Sequence, residues 1–181
     1  MSMEVGASLR KPAAQAWIAE IEETMALLGG ILAVINPAQY RAGIACIEAI
    51  AENHSQIAKS ETLKDLLSDW SSPFNVISVM NNRDSPLHRD NGGGYSTMDM
   101  LISVGEYSNC LFSVPGLGAE FWNRSGSVVA LAGRVVRHGA SADGERLCIA
   151  QYSRETVFEE LDIPEPDWIS VDNLIHEIVN N

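Results

Sequence analysis

From residue 74 onward the chain consists of short β-prone runs separated by Gly, Asn and Pro, and this texture restricts its fold more than any other feature. No helix of useful length fits between the runs. Six or more short strands of this kind predict an antiparallel jelly roll, a sandwich in which two Greek keys close around a pocket. The candidate strands span residues 74–81, 99–104, 111–114, 119–122, 127–132 and 146–153.

The first 72 residues have a helical pattern instead. Apolar residues from Trp17 to Leu28 recur at helical spacing, and Gly29-Gly30 predicts the end of that helix. Asn36 can cap a second helix, and Pro37 suits the first turn of that helix. A third, short helix is expected at about residues 60–70.

Helices that precede such strands commonly pack on one sheet. We therefore expect an α+β protein, with a double-stranded β-helix (jelly roll, cupin-like) and the N-terminal helices packed on one sheet. A length of 181 residues suits a single domain over residues 1–181. Within it we expect a helical part (1–72), a β-helix core (73–158) and a C-terminal tail with a helix (159–181).

Composition bears on compartment and partners. The N-terminus has no apolar signal core and no segment is long enough to span a bilayer, so we expect a soluble intracellular protein, cytoplasmic or nuclear, without a membrane partner. Three widely spaced cysteines fit a reducing compartment. The net charge of −12 opposes nucleic-acid binding by the overall field. The oligomeric state is open.

His88 and Asp90 are two residues apart, and His138 follows 48 residues after Asp90. In an extended strand residues i and i+2 project from one face, so His88 and Asp90 can reach one point in space. Two histidines and one carboxylate form the facial triad of non-haem Fe(II) oxygenases, which leaves positions open for a co-substrate and O₂. These three residues are the predicted metal ligands and catalytic residues.

Arg146 lies eight residues beyond His138 and opens an apolar run. Its planar, permanently charged guanidinium matches a carboxylate bidentately, and such oxygenases need an anchor for the far carboxylate of 2-oxoglutarate. Arg83, five residues before His88, is a second candidate for the same co-substrate, although a surface pair with Asp84 is nearly as plausible. Asn91, Tyr95 and Asp99 lie close to the triad in sequence, and we expect them to contact substrate or orient the ligands.

An ordered succession of motifs accompanies these residues. It comprises Asn82-Arg83, Pro86-Leu87-His88-Arg89-Asp90, Ile102-Ser103-Val104-Gly105-Glu106-Tyr107, Ser127-Val128-Val129-Ala130-Leu131-Ala132-Gly133, Arg137-His138-Gly139 and Gly144-Glu145-Arg146. Over roughly residues 74–158 this succession resembles the oxygenase core of TET/JBP-type dioxygenases, especially their stand-alone fungal versions.

The resemblance implies a double-stranded β-helix with Fe(II) held by His88, Asp90 and His138, and with 2-oxoglutarate anchored by Arg146 and assisted by Arg83. It also implies a 2-oxoglutarate-dependent dioxygenase that uses O₂ to oxidise a methyl group on a nucleobase, so that methylated DNA becomes a candidate partner. The chain has no cysteine-rich insert and no separate DNA-binding module.

Two alternatives remain from the sequence. The acidic composition and small size suit the same chemistry on a small metabolite or a peptide side chain at least as well as on a nucleic acid. The chain could also be a jelly-roll binding module without turnover, although an intact triad and Arg146 argue against this.

Overall fold

The computed structural model describes residues 6–180, which divide into two compact units. One unit is Val76–Arg154 and contains every strand of the sheet. The other comprises the described residues up to Asn75 together with those from Glu155 onward. The strand unit lies inside the predicted core of residues 73–158. The single domain over residues 1–181 and the packing of helices on a sheet stay predictions.

The helical unit differs from the sequence prediction at its first helix. The predicted stop at Gly29-Gly30 is wrong, because the second helix runs through both glycines to Ile35. Gly29 is buried, and a Cβ there would lie 2.9 Å from Cδ of Pro73, so close packing explains this glycine. None of the described helices is long and apolar enough to cross a membrane. The helices of this unit are α1 (Pro12–Glu20), α2 (Glu22–Ile35), α3 (Pro37–Glu52), α4 (Leu63–Ser68), α5 (Glu155–Glu160) and α6 (Val171–Asn180).

The predicted cap of α3 is confirmed. The Oδ1 of Asn36 accepts a hydrogen bond from the backbone N–H of Gln39 at 3.2 Å, and the Nδ2 of Asn36 donates to Oε1 of Gln39 at 3.1 Å. Both residues are buried, so each of these side chains supplies the other with a polar partner away from water. Pro37 occupies the first helical position, where a missing N–H costs nothing.

The strand unit is one antiparallel sheet built on two long strands. β3 and β6 pair with each other over most of their length, and shorter strands flank them. The regions 99–104 and 111–114 were expected as separate strands, but they belong to one continuous strand, because the polar residues between them pair with β6. The strands are β1 (Val76–Asn81), β2 (Ser85–His88), β3 (Asp99–Val114), β4 (Ala119–Trp122), β5 (Ser127–Leu131) and β6 (His138–Tyr152).

Each end of the β3–β6 pair carries its own flanking strands. At one end the order is β5–β3–β6–β1, and at the other it is β4–β3–β6–β2. The register shifts between Ser108 and Leu111, where Asn109 adopts a left-handed φ of 51°. Irregularities of this kind bend a strand. The result is the expected α+β jelly roll, with β2 and the start of β6 adjacent at one end.

A compact apolar cluster packs on the sheet near the end where β2 pairs with the start of β6. Phe112, Val114, Leu131 and Ala140 are buried there, and Val136 packs against them. Phe112 stacks on the imidazole of His138, with ring centroids 5.7 Å apart and planes inclined by 18°. The core therefore holds one of the predicted metal ligands in place.

Candidate metal and co-substrate site

The three predicted metal ligands converge. His88 ends β2 and His138 begins β6, and the two residues are paired across these strands. The Nε2 atoms of His88 and His138 lie 3.4 Å and 3.5 Å from the two carboxylate oxygens of Asp90. One ligand atom from each residue lies within 4.8 Å of the others. The geometry offers two imidazole nitrogens and one carboxylate to a single ion.

Backbone carbonyls set the orientation of both imidazoles. The Nδ1 of His88 donates to the carbonyl of Pro86 at 2.7 Å, and the Nδ1 of His138 donates to that of Val136 at 2.9 Å. A histidine whose Nδ1 carries the proton presents an unprotonated Nε2, which is the form that binds a metal. The side chain of His138 is 4% exposed and that of His88 is 41% exposed, so the site is open on the His88 side.

Asp90 is held from behind by Gly133. The backbone N–H of Asp90 donates to the carbonyl of Gly133 at 3.0 Å. A Cβ on Gly133 would lie 2.5 Å from Oδ2 of Asp90 and would also collide with the carboxylate of Asp99. The absence of a side chain at Gly133 therefore lets two carboxylates and a backbone turn meet at one place.

Asp99 is the buried member of this group. Burial, and to a smaller extent the negative charge of Asp90, raise its pKa to about 7, although a hydrogen bond from the backbone of Gly133 acts in the opposite direction. The structure thus places Asp99 beside a predicted metal ligand, with 5% of its surface exposed.

Arg146 is a buried cation. It is 7% exposed, and its Nε and Nη2 both donate to Oγ of Ser103, at 3.2 Å and 3.0 Å. Asn123 donates to the same hydroxyl at 3.2 Å. Among the described residues, no carboxylate forms an ion pair with Arg146. Burial of a charge without a counter-ion costs free energy, so an anionic ligand bound to this guanidinium would stabilise the protein.

Further polar groups near Arg146 also lack partners within the described part of the chain. The hydroxyl of Tyr107 and Oδ1 of Asn123 are buried without a hydrogen bond. Burial raises the pKa of Tyr107, and the positive charge of Arg146 partly opposes this rise. Buried polar groups are normally satisfied, so their grouping beside Arg146 indicates a polar ligand site.

Comparison with known proteins agrees with this geometry. The model of the Tet_JBP family, described as the oxygenase domain of the 2OGFeDO superfamily, matches residues 7–155. The chain belongs to this family. One similar solved structure is NgTET1 in complex with 5mC DNA, with a TM-score of 0.60 and 14% identity. That match covers 97% of this chain and 63% of the NgTET1 chain, and at this identity it supports the fold alone. No curated protein matched.

The family description specifies an oxygenase domain of the 2OGFeDO superfamily, which implies Fe(II), 2-oxoglutarate and O₂ as the cofactors of such a domain. Two imidazoles and one carboxylate are the ligand set that suits Fe(II) in such oxygenases, and the convergence of His88, Asp90 and His138 fits that ion. Membership of this oxygenase family accounts for the convergence of His88, Asp90 and His138, so the alternative of a non-catalytic binding module is not needed to explain them.

The remaining predicted site residues of this Tet_JBP oxygenase lie at the surface. Arg83 is exposed in the connection between β1 and β2, and within the described residues it makes no hydrogen bond or ion pair. Asn91 is exposed next to Asp90. Tyr95 is 57% exposed, and the guanidinium carbon of Arg134 lies 3.8 Å from its ring centroid. No contact joins Arg83 to Arg146.

Sequence reasoning missed the partners of Arg146. Ser103 and Tyr107 lie on β3, and Asn123 lies just after β4, so that only the folded sheet brings them to Arg146 on β6. A serine, a tyrosine and an asparagine at these spacings form no chemical motif. The one sequence signal for them is the two-residue alternation of side chains along a strand, which puts Ser103 and Tyr107 on the same face of the strand as Leu101.

Asn82 is a second residue of this kind. Its backbone N–H donates to the carbonyl of Arg146 at 2.7 Å, and its Oδ1 accepts from the backbone N–H of Arg146 at 2.7 Å. Asn82 has a φ of 48°, in the left-handed region that asparagine tolerates better than most residues. Asn82 thus continues the β1–β6 pairing by one residue and holds the backbone that carries the guanidinium.

Proposed function

We propose that this chain oxidises the methyl group of a methylated nucleobase, with Fe(II) held by His88, Asp90 and His138. Once bound, the ion, 2-oxoglutarate and O₂ supply the oxidising chemistry. The protein's residues hold the ligands, anchor the co-substrate and orient the C–H group. The convergence of the three ligand atoms within 4.8 Å carries this proposal.

Metal binding requires few adjustments from these residues. Both imidazoles already present Nε2, since their Nδ1 atoms donate to backbone carbonyls. The two histidines approach opposite oxygens of the Asp90 carboxylate. A cation between the three groups would replace the contacts that they now make with each other.

Arg146 is the proposed anchor for the far carboxylate of 2-oxoglutarate. It is a buried cation without a counter-ion in the described chain. Its guanidinium already donates two hydrogen bonds to the hydroxyl of Ser103, which fix its orientation. The unpartnered hydroxyl of Tyr107 is a further donor for the same carboxylate. Arg83, exposed and unpaired among the described residues, stays a candidate for assisting from the rim.

The distribution of charge favours a nucleic acid over a neutral substrate. The stretches 85–98 and 121–142 contain all three proposed metal ligands, and their only acidic residue is Asp90. Because Asp90 would share its charge with the bound ion, it would not offset the positive charge of the arginines in these stretches. Phosphates are attracted by such a local excess even when the whole molecule is acidic. The arginines of these stretches are Arg89, Arg124, Arg134 and Arg137.

A small metabolite or a peptide side chain is the second candidate substrate. The net charge of −12 favours it, because a long phosphate backbone would be repelled by most of the surface. Asn91 and Asp99, which follow Asp90 by one and nine residues, are proposed to orient either substrate or the ligands themselves.

The decisive experiment is an anaerobic titration of the metal-free protein with Fe(II) and 2-oxoglutarate, followed by O₂ with or without a methylated oligonucleotide. We expect a visible charge-transfer band that decays faster with the methylated oligonucleotide than with its unmethylated twin, and an oxidised base detected by mass spectrometry. Asp90→Ala should give no band. A band in wild type that ignores every nucleic acid would favour the metabolite or peptide, and a normal band in Asp90→Ala would remove Asp90 from the site.

A further inference from the structure

Tyr95 is an exposed aromatic ring that is nevertheless held in position. It follows Asp90 by five residues and is 57% exposed. The guanidinium carbon of Arg134 lies 3.8 Å from the ring centroid, a cation–π distance, so one ring face is covered. The exposed surface is therefore the opposite face and the edge. A ring with two rotatable side-chain angles and one face fixed loses little entropy when something stacks on it.

The ring is tied to the segments that carry the metal ligands. The Nη1 of Arg134 donates to the carbonyl of Gly93 at 2.8 Å, and Gly93 is buried and bridged to Arg154. The neighbouring residue, Gly133, accepts the hydrogen bond from the backbone of Asp90. Arg134 thus connects the loop after Asp90 to the chain that leads into His138, and the Tyr95 ring lies on that connection.

We propose that Tyr95, backed by Arg134, is a stacking platform for the nucleobase next to the one that is oxidised. This inference rests on the proposed function. The reacting methyl group must approach the three metal ligands, whereas Tyr95 is an exposed ring in the segment that follows Asp90, so the ring suits a neighbouring base. When a base leaves a stack, its neighbour loses the partner on one face, and an aromatic side chain can cover that face.

The platform has a consequence for substrate form. A base in a closed duplex is already stacked on both faces, so Tyr95 offers it nothing. Single strands, mismatches and locally opened duplexes present an uncovered base and should bind more tightly. Because every base has an aromatic face, the preference should depend little on the identity of the neighbour.

The test uses the full chain with Fe(II) and 2-oxoglutarate under anaerobic conditions. The probe is a single-stranded oligonucleotide that carries 2-aminopurine beside 5-methylcytosine, since stacking on an aromatic ring quenches 2-aminopurine fluorescence. We expect quenching on wild-type protein, and in Tyr95→Ala a loss of quenching with a Kd increased by about 5- to 150-fold. Tyr95→Trp should restore both. Tyr95→Leu, which keeps an apolar bulk without an aromatic face, should behave as Tyr95→Ala does.

Phe121→Ala is the matched control, because Phe121 is 53% exposed in the same unit and, among the residues that the structure describes, no arginine lies over its ring. It should quench and bind as wild type does. Unchanged quenching and Kd in Tyr95→Ala, with wild type oxidising the same oligonucleotide, would overturn the platform and leave the proposed function standing. If wild type with a normal charge-transfer band neither binds nor oxidises methylated nucleic acid, the nucleobase function fails and the platform fails with it.

Discussion

At the scale of single residues, the site depends on groups that never touch the metal. Gly133 leaves room for Asp90 and Asp99, and Ser103 and Asn82 hold the side chain and the backbone of Arg146. Loss of a group that orients a metal ligand, as Gly133 does for Asp90, typically weakens metal affinity by about 10- to 100-fold.

Gly133→Ala tests this directly. A Cβ at Gly133 would lie 2.5 Å from Oδ2 of Asp90, so the carboxylate must shift from its present position between the two histidines. We expect Fe(II) affinity to fall by about 10- to 100-fold, measured by anaerobic titration. Gly92→Ala is the control, since a Cβ at Gly92 meets nothing within 4 Å. Equal affinities for the two variants would contradict the proposed packing behind Asp90.

Arg146→Met should separate co-substrate binding from folding. The variant loses a buried charge–carboxylate contact, so 2-oxoglutarate binding should weaken by about 2–5 kcal/mol, a factor of roughly 30 or more. The unliganded protein should be as stable or more stable, because an unpaired buried cation is removed. Calorimetric titration with 2-oxoglutarate and thermal unfolding measure the two effects. Lys64→Met, at an exposed lysine, should change neither, and unaltered 2-oxoglutarate affinity in Arg146→Met would exclude the anchor.

At the scale of elements, the distance between the two histidines depends on the pairing of β2 with β6. His88 and His138 are register partners with ring centroids 4.5 Å apart, and β2 is only four residues long. Gly139 lies where the two strands approach most closely, because a Cβ there would be 2.8 Å from the carbonyl oxygen of Ser85. A larger distance between the backbones of β2 and β6 at this point would therefore increase the distance between His88 and His138.

Gly139→Ala should therefore damage the metal site through the strands. We expect β2 to shift away from β6, a destabilisation of about 1–3 kcal/mol, and weaker Fe(II) binding. Thermal unfolding and anaerobic metal titration report the two effects. Gly116→Ala, where a Cβ meets nothing within 4 Å, should leave both unchanged. Wild-type metal affinity in Gly139→Ala would show that β2 tolerates the shift.

At the scale of the whole molecule, charge is the property that bears on function. The chain has a net charge of −12, whereas the two stretches that carry the proposed metal ligands contain four arginines and one acid. A substrate with phosphates would thus meet local attraction within overall repulsion. The contrast predicts a small number of phosphate contacts.

The salt dependence of binding counts those contacts. For a methylated duplex we expect log K to fall with log salt concentration with a slope of about −2 to −3, since each neutralised phosphate contributes about −0.9. Arg137→Gln removes an exposed guanidinium beside His138 and should reduce the slope by about one contact. A slope near zero in wild type would favour the metabolite, and a slope beyond about −6 would reveal a basic surface elsewhere.

Local chemistry made part of this protein predictable from its sequence. The spacing of His88 and Asp90 indicated that they reach one point, although β2 ends at His88 and Asp90 lies just after it, and the cap at Asn36 followed from its own residues and spacing. The β-prone runs and turns of residues 74–153 indicated a jelly roll, because they need only near neighbours to be recognised. The residues named as metal ligands do converge.

Tertiary structure alone decided what surrounds those residues. Gly29-Gly30 predicted a helix end, but the helix continues and Gly29 packs closely on Pro73; residues 105–110 predicted a break, but residues 105–108 pair with β6. Ser103, Tyr107 and Asn123 reach Arg146 only after β3, β4 and β6 assemble. Periodicity and capping act over a few residues, whereas these contacts join residues 20 or more positions apart, and no local pattern encodes such distances.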